Sequence, residues 1–433
     1  MRYQQINTEL FEFNRKRFAQ KMQPDSMAIF HSNDRLPRSG DTFFPFKQNS
    51  DLFYLSGLDQ EETVVVIFPD CVKEGFHELA FINRPNEKSA LWEGSKYSKE
   101  QARSISGIQK IYFLDEMDII LRELILLAKR IYVNDNEHEH FASEIPSRNA
   151  RLGKKLMEQY PFHKYHRAQP ILKKLGMIKS HHEVELLQKA IEITKKGFER
   201  AVNAVRPGMK EYEIEAEITY EFIKNGANGH AYDPIIASGP NSCVLHYSQN
   251  NSTCKEGDLI LMDFGAEYAH YSADITRTIP VSGHFTDRQK AVYEAVYNVL
   301  IASREQLVPG KLLDDFNSEV GLLIQKELIN LNLLDPAVIE ANKGGFPLYK
   351  KYFMHSASHH LGRDVHDAAS RFAPIQAGMV FTLEPAIYIP EEKIGIRLEN
   401  IILVTDQGPI DLTANIPLAL DEIETMMKQE VFN

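Results

Sequence analysis

The pattern of apolar and polar positions divides the chain into two parts of different character. In the first part, short apolar runs alternate with amphipathic stretches. Residues 7 to 22 carry the helical period, and residues 26 to 31 read as a strand. Residues 63 to 69 (Thr-Val-Val-Val-Ile-Phe-Pro) form a continuous apolar run of the buried-strand kind, with a second strand at 78 to 82. Helical spacing returns over 101 to 105 and 117 to 129, followed by a strand at 130 to 133. This alternation predicts a mostly parallel sheet covered by helices. A Lys-rich stretch at 172 to 179 marks the expected boundary, giving domains 1–174 and 175–433. Beyond it, helical periodicity fills 183 to 200, and Arg206-Pro207-Gly208 breaks it. Further helices are expected at 211–225, 287–307 and 314–331.

Between these helices the pattern changes to strand pairs, and carboxylates sit inside their apolar runs. Residues 259 to 265 and 273 to 281 read as one pair, and 380 to 389 and 394 to 405 as another. Asp263 follows Leu-Ile-Leu-Met, Asp274 precedes Ile-Thr-Arg-Thr-Ile, Glu384 follows Val-Phe-Thr-Leu, and Glu399 follows Gly-Ile-Arg-Leu. An unpaired carboxylate in such a run costs several kcal/mol or becomes protonated. A symmetric hairpin turning at Tyr268-Ala269 sets Asp263 opposite Asp274. A turn centred on Glu391-Glu392 sets Glu384 opposite Glu399. Like charges directly opposed destabilise a sheet, so two such pairs call for a shared cation.

A nitrogen ligand is at hand in His359, within a stretch that also holds His355, His360 and His366. Taken singly, each of these groups reads as a turn, cap or loop residue. Together, four carboxylates and one imidazole suit a hard divalent cation such as Mn²⁺. Carboxylates that can bridge also favour two metals roughly 3.5–4 Å apart. The three cysteines, Cys71, Cys243 and Cys254, have no zinc spacing.

At these residues the chain resembles the pita-bread metallopeptidases, and among them the Xaa-Pro aminopeptidase (aminopeptidase P) family, with prolidase the closest relative. The motifs that carry the likeness are Leu245-His246-Tyr247, Met262-Asp263-Phe264-Gly265, Asp274-Ile-Thr-Arg-Thr, the stretch from His355 to Asp367, Thr382-Leu-Glu384-Pro385 and Ile396-Arg397-Leu398-Glu399. One departure is Ser356, where the family usually has glycine after the histidine. In the first part, the run from Phe44 to Gly57 is the most family-like.

The resemblance implies an α/β creatinase-like N-terminal domain followed by an α+β pita-bread catalytic domain. It implies two divalent ions per chain, Mn²⁺ by expectation, held by Asp263, Asp274, His359, Glu384 and Glu399. Asp274 and Glu399 would serve both ions. It implies hydrolysis of the bond between an N-terminal residue and a following proline, through a hydroxide bridging the two metals. Glu384 would carry the proton, with His246, His355 and His366 as catalytic and substrate-binding histidines, and Tyr388 and Arg397 as further substrate-site residues. Asp263 would lie where the free amino group sits. A homo-oligomer, dimer or tetramer, is also implied. Prolidase activity on Xaa-Pro dipeptides is the alternative, and a non-catalytic binding protein of the same fold the remote one.

Composition narrows the picture further. At 433 residues the chain has room for two domains. Its net charge of −11 argues against nucleic acid or an anionic membrane as main partner. No apolar run approaches the roughly 18 residues of a membrane span, and no apolar signal segment opens the sequence, so the cytoplasm is the expected location. Trp92, the single tryptophan, is expected to be a core or interface aromatic. Contact with a neighbouring subunit's active site is the alternative reading.

Overall fold

The computed structural model describes residues 2–138 and 143–428. The chain divides into two compact units, Tyr3–Gly176 and Met177 onward.

The first unit is built on a six-stranded sheet in the order Lys110–Phe113, Glu78–Ile82, Val64–Ile67, Ser26–His31, Arg130–Val133, Lys164–Arg167. Both faces are covered, and strand alternation sorts the side chains. Ala28, Phe30, Val65 and Ile67 pack on one face with Phe18, Leu52, Leu55 and Leu172, from the helices Thr8–Ala19, Ser50–Ser56 and Gln169–Gly176. Met27, Ile29, Val64 and Val66 pack on the other with Leu121, Leu124 and Leu156, from the helices Met117–Leu127 and Arg148–Gln159. The sheet is mixed rather than mostly parallel. Ser26–His31, Arg130–Val133 and Lys164–Arg167 run parallel to one another, as do Glu78–Ile82 and Lys110–Phe113. Val64–Ile67, however, is antiparallel to both its neighbours. Only a helix-free turn joins it to Glu78–Ile82, and such a connection permits an antiparallel pair, not a parallel crossover. The helix Arg148–Gln159 and the strand Lys164–Arg167 are additions to the sequence reading.

In the second unit, one plan occurs twice. The helices His181–Ala204 and Glu211–Lys224 precede a first hairpin, Leu259–Phe264 with Ile275–Pro280. The helices Asp287–Arg304 and Leu313–Asn330 precede a second, Val380–Leu383 with Asn400–Thr405. Local signals set the helix starts. Ser180 and Glu183 form a reciprocal capping box, as do Thr286 and Gln289.

Both hairpins are interrupted and then resume. The first continues as Ala266–Tyr268 with Tyr271–Ser272, the second as Ala386–Ile389 with Ile394–Arg397. At the first break there is no room for a side chain on Gly265: a Cβ there would sit 1.7 Å from the Ala273 carbonyl oxygen. The register of the second hairpin agrees with the expected turn. Leu383 pairs Asn400 and Ala386 pairs Arg397, which leaves Glu384 facing Glu399. The first hairpin differs. Asp263 pairs Thr276, not Asp274, and Tyr268 pairs Tyr271. The turn is therefore Ala269-His270, whose φ angles of 52° and 63° fit the left-handed tight turn of a hairpin. The register moves by two in sum, so Asp274 stays on the face of Asp263 as its diagonal neighbour.

The two hairpins are tied together where they matter. Glu399 N–H donates to the Thr276 carbonyl at 3.0 Å, and the Thr278 hydroxyl donates to the Arg397 carbonyl at 3.1 Å. Arg277, wholly buried, donates to the Glu399 carbonyl at 2.6 Å and to Asn400 Oδ1 at 2.9 Å.

Candidate active site

Three of the four carboxylates occupy the breaks in the ladders. Asp274 lies between Tyr271–Ser272 and Ile275–Pro280, and Glu384 between Val380–Leu383 and Ala386–Ile389. Glu399 lies between Ile394–Arg397 and Asn400–Thr405. A strand that leaves its ladder for a residue or two bends there and re-aims its side chains. Asp263 lies within its strand, opposite Ile235 on one side and Thr276 on the other.

His359 arrives on an irregular segment running beside Val380–Leu383. Thr382 N–H donates to the His359 carbonyl at 3.0 Å, and Glu384 N–H to the Ala357 carbonyl at 2.9 Å. His359 Nδ1 lies 3.0 Å from the His360 carbonyl and so carries the proton. That leaves the Nε2 lone pair 3.5 Å from Asp274 Oδ2 and 3.7 Å from Glu384 Oε1. An imidazole held through Nδ1–H with a free Nε2 is the usual setting of a metal-binding histidine. Asp274, His359 and Glu399 each present a ligand atom within 4.8 Å of the others.

The electrostatics are adverse to an empty cluster. Burial, reinforced by the charge of Asp263, pushes the Asp274 carboxyl well above its ordinary range. Burial and Glu399 do the same to Glu384, and burial and Asp274 to Glu399. Asp263 is joined to Asp274 by Tyr232, whose hydroxyl lies 2.6 Å from Asp263 Oδ1 and also contacts Asp274 Oδ1. The Thr276 hydroxyl donates to Glu399 Oε2 at 2.7 Å. Neither Tyr232 nor Thr276 was expected from the sequence. Thr276 sits in the Asp274-Ile-Thr-Arg motif, but nothing in Ala231-Tyr232-Asp233 signals a site.

A chain of hydrogen bonds leads away from the cluster. Arg397 Nη2 donates to Asp263 Oδ2 at 2.5 Å, and Nη1 to the Tyr388 hydroxyl at 2.6 Å. The Tyr388 hydroxyl lies 2.9 Å from His355 Nε2, while His355 Nδ1 lies 2.7 Å from the Ser356 carbonyl. The Nδ1 proton thus goes to the carbonyl, and Nε2 accepts from Tyr388. Burial first, then Arg397, with smaller parts from Lys350 and His246, lowers the His355 pKa to about 3. His355 is therefore a neutral imidazole at physiological pH. Ser356 is not among the residues of positive φ, so a side chain fits where the family usually has glycine. The His366 ring meets that of His359 edge to face, with centroids 4.4 Å apart. His246 is exposed on the loop before Tyr247. The structure thus gathers Asp263, Asp274, His359, Glu384 and Glu399, with His355, His366, Tyr388 and Arg397 around them. Trp92, by contrast, is 79% exposed on the short helix Glu87–Glu93 and is not a core residue.

Among the described residues, no helix is long and apolar enough to cross a membrane. Residues 185–406 match metallopeptidase family M24, and residues 11–132 match the aminopeptidase P N-terminal domain. The chain is 32% identical to Xaa-Pro aminopeptidase of Escherichia coli over 440 residues, covering 98% of each. It is 30% identical to Xaa-Pro aminopeptidase 3 of Homo sapiens, covering 94% of this chain and 81% of that one. The solved structure of Pseudomonas aeruginosa aminopeptidase PepP superposes with a TM-score of 0.89 at 30% identity, covering 98% of each chain. Aminopeptidase P from E. coli with the inhibitor Pro-Leu gives 0.87 at 30% identity, covering 98% of this chain and 99% of that one. The chain belongs to metallopeptidase family M24, joins its catalytic domain to an aminopeptidase P N-terminal domain, and is a hydrolase.

Proposed function

We propose that this enzyme removes the N-terminal residue from peptides with proline in second position. The observation that carries the reading is the convergence of four carboxylates and the Nε2 of His359 in a family whose members include Xaa-Pro aminopeptidases of similar length. The donor set fits a pair of hard divalent ions: it is rich in oxygen, holds one imidazole, and crowds carboxylates that repel each other without a cation. Asp263, Asp274, His359, Glu384 and Glu399 would hold them, Mn²⁺ by expectation, with Asp274 and Glu399 shared. When bound, such ions supply a water acidic enough to act as nucleophile at neutral pH and polarise the scissile carbonyl.

The chain's own residues do the rest. Glu384 accepts the proton of the attacking water and delivers it to the leaving proline nitrogen. Asp263, held by Arg397 and Tyr232, receives the free amino group of the substrate. That contact makes the enzyme an exopeptidase. His355, kept neutral by burial and Arg397 and oriented by the Ser356 carbonyl and the Tyr388 hydroxyl, lines the substrate site. An imidazole, His366 or His246, would steady the oxyanion. Proline offers no amide N–H and a fixed φ, so a histidine-lined pocket selects it by shape.

The test is hydrolysis of a Xaa-Pro-Yaa tripeptide against a Xaa-Pro dipeptide and a Xaa-Ala-Yaa control, with Mn²⁺ restored after chelation. The reading predicts release of the first residue from the Xaa-Pro-Yaa peptide alone or preferentially. Cleavage of the dipeptide alone would make the enzyme a prolidase. No cleavage of either Xaa-Pro peptide with any divalent metal would contradict the proline-directed reading.

A further inference from the structure

Far along the chain from the metal ligands, Glu211 is a carboxylate with no exposed surface and an unusual number of partners. It opens the helix Glu211–Lys224. Its Oε1 accepts from Ser238 N–H at 2.7 Å, the Ser238 hydroxyl at 2.7 Å and Asn241 Nδ2 at 3.1 Å. Its Oε2 accepts from the Tyr247 hydroxyl at 2.8 Å and Ser252 N–H at 2.8 Å. None of these donors is cationic. A buried carboxylate persists without a cation only when several N–H and O–H groups replace its water, and here five do so.

The donors come from the two ends of one loop. Oε1 holds its start, at Ser238 and Asn241, and Oε2 holds its end, at Tyr247 and Ser252. Between them the loop lies against the second hairpin, where Ser242 Oγ accepts from Gly395 N–H at 2.9 Å. A Cβ on Gly395 would come within 2.1 Å of the Ser242 carbonyl, so the approach is backbone to backbone. What remains free of these clamps is the exposed turn carrying His246, next to the buried Tyr247.

We infer that Glu211 is a positioning residue for the reaction: through Tyr247 it fixes the place of His246 relative to the bound peptide. The inference rests on the proposed role of His246 in the substrate site. None of the five donors belongs to the helix that Glu211 opens, so the carboxylate does not serve as that helix's cap, and both oxygens are directed at the His246 loop.

The test is a double-mutant cycle on kcat/KM for a Xaa-Pro-Yaa peptide with Mn²⁺, using Tyr247→Phe, His246→Ala and both together. Tyr247→Phe removes one hydroxyl and leaves the ring in place. It should lower kcat/KM roughly tenfold, the scale of a single hydrogen bond to a charged group, with bound metal near wild type. In the His246→Ala background the same change should have no further effect, because its route to the reaction is gone. Glu211→Gln should follow the same pattern more strongly, since its amide must aim a donor at groups that are themselves donors. If it does not fold, Tyr247→Phe still decides. Multiplying losses in the double mutant, or an unaffected Tyr247→Phe, would overturn the inference. A His246→Ala enzyme with full activity would overturn both the histidine's assignment and the inference built on it.

Discussion

Four carboxylates within reach of one imidazole are unfavourable as an empty cluster, and their properties should change sharply with metal. Each of Asp274, Glu384 and Glu399 has its pKa raised first by burial and then by another carboxylate. Mn²⁺ should therefore raise the thermal midpoint of the chelated protein, because it binds only the folded cluster. Glu399→Gln should lose that rise while the metal-free variant is at least as stable as the metal-free wild type; a metal-free variant markedly less stable would mean that Glu399 is held by its hydrogen bonds alone. Glu384→Gln should lower kcat by roughly 100-fold or more, the usual scale of general acid–base help, with folding near normal in circular dichroism. Unchanged turnover would remove Glu384 from the mechanism. At this scale the apolar setting of each charge was legible, since it follows from strand composition alone. Tyr232 was not: its contact with two aspartates depends on the loop before Ile235–Ser238 folding back, and no local pattern encodes that.

At the scale of elements, the two hairpins separate what pattern can and cannot give. The second was readable to the residue because Pro390-Glu391-Glu392-Lys393 leaves one centre for the turn. The first was misplaced by one residue at its turn, because Ala269 and His270 adopt positive φ without the glycine or asparagine that marks such turns. Parity kept both aspartates on one face in either register, so the site survived the error. Gly265 is where this hairpin has least tolerance. Gly265→Ala should cost about 3 kcal/mol or more and weaken metal binding, since the added carbon meets backbone rather than a movable side chain. Denaturant melts with and without Mn²⁺ would check it. In the first unit, His31 on Ser26–His31 has its pKa lowered from 6.5 to about 4, first by burial and then by Arg148. Between those values the unfolded chain binds the proton and the folded one does not, so stability rises with pH across that window. His31→Gln should flatten the rise, on the order of 2 kcal/mol, between pH 4 and 6.5. An unchanged slope would show that other groups carry it.

Over the whole molecule, the alternation of strands and helices foretold a covered sheet and a separate hairpin-bearing unit, but not strand direction in the first. The antiparallel pairing of Val64–Ile67 with Glu78–Ile82 is set by a connection too short for a crossover. Long-range polar contacts were equally silent in the sequence. Lys179 and Asp367, both buried, pair at 2.9 Å, and Asp367 N–H also holds the His360 carbonyl. Burial alone would raise the Asp367 pKa, yet Lys179 and Arg363 leave it below its ordinary value. Lys179→Met should cost about 3–5 kcal/mol by stranding that charge, and adding Asp367→Leu should restore much of it; equal melts for both variants would contradict this. The exposed Trp92 leaves the interface reading as the one to test. Trp92→Ala is predicted to change oligomeric state or KM, and no change in either would discard it. The proposed reaction rests on one claim: that Asp263, Asp274, His359, Glu384 and Glu399 form a two-metal catalytic centre. Titrating Mn²⁺ into chelator-stripped enzyme, counting bound ions against peptidase activity, tests it most directly. The account predicts full activity at two ions per chain, whereas activity that is complete without metal, or that saturates at a single ion, would contradict it.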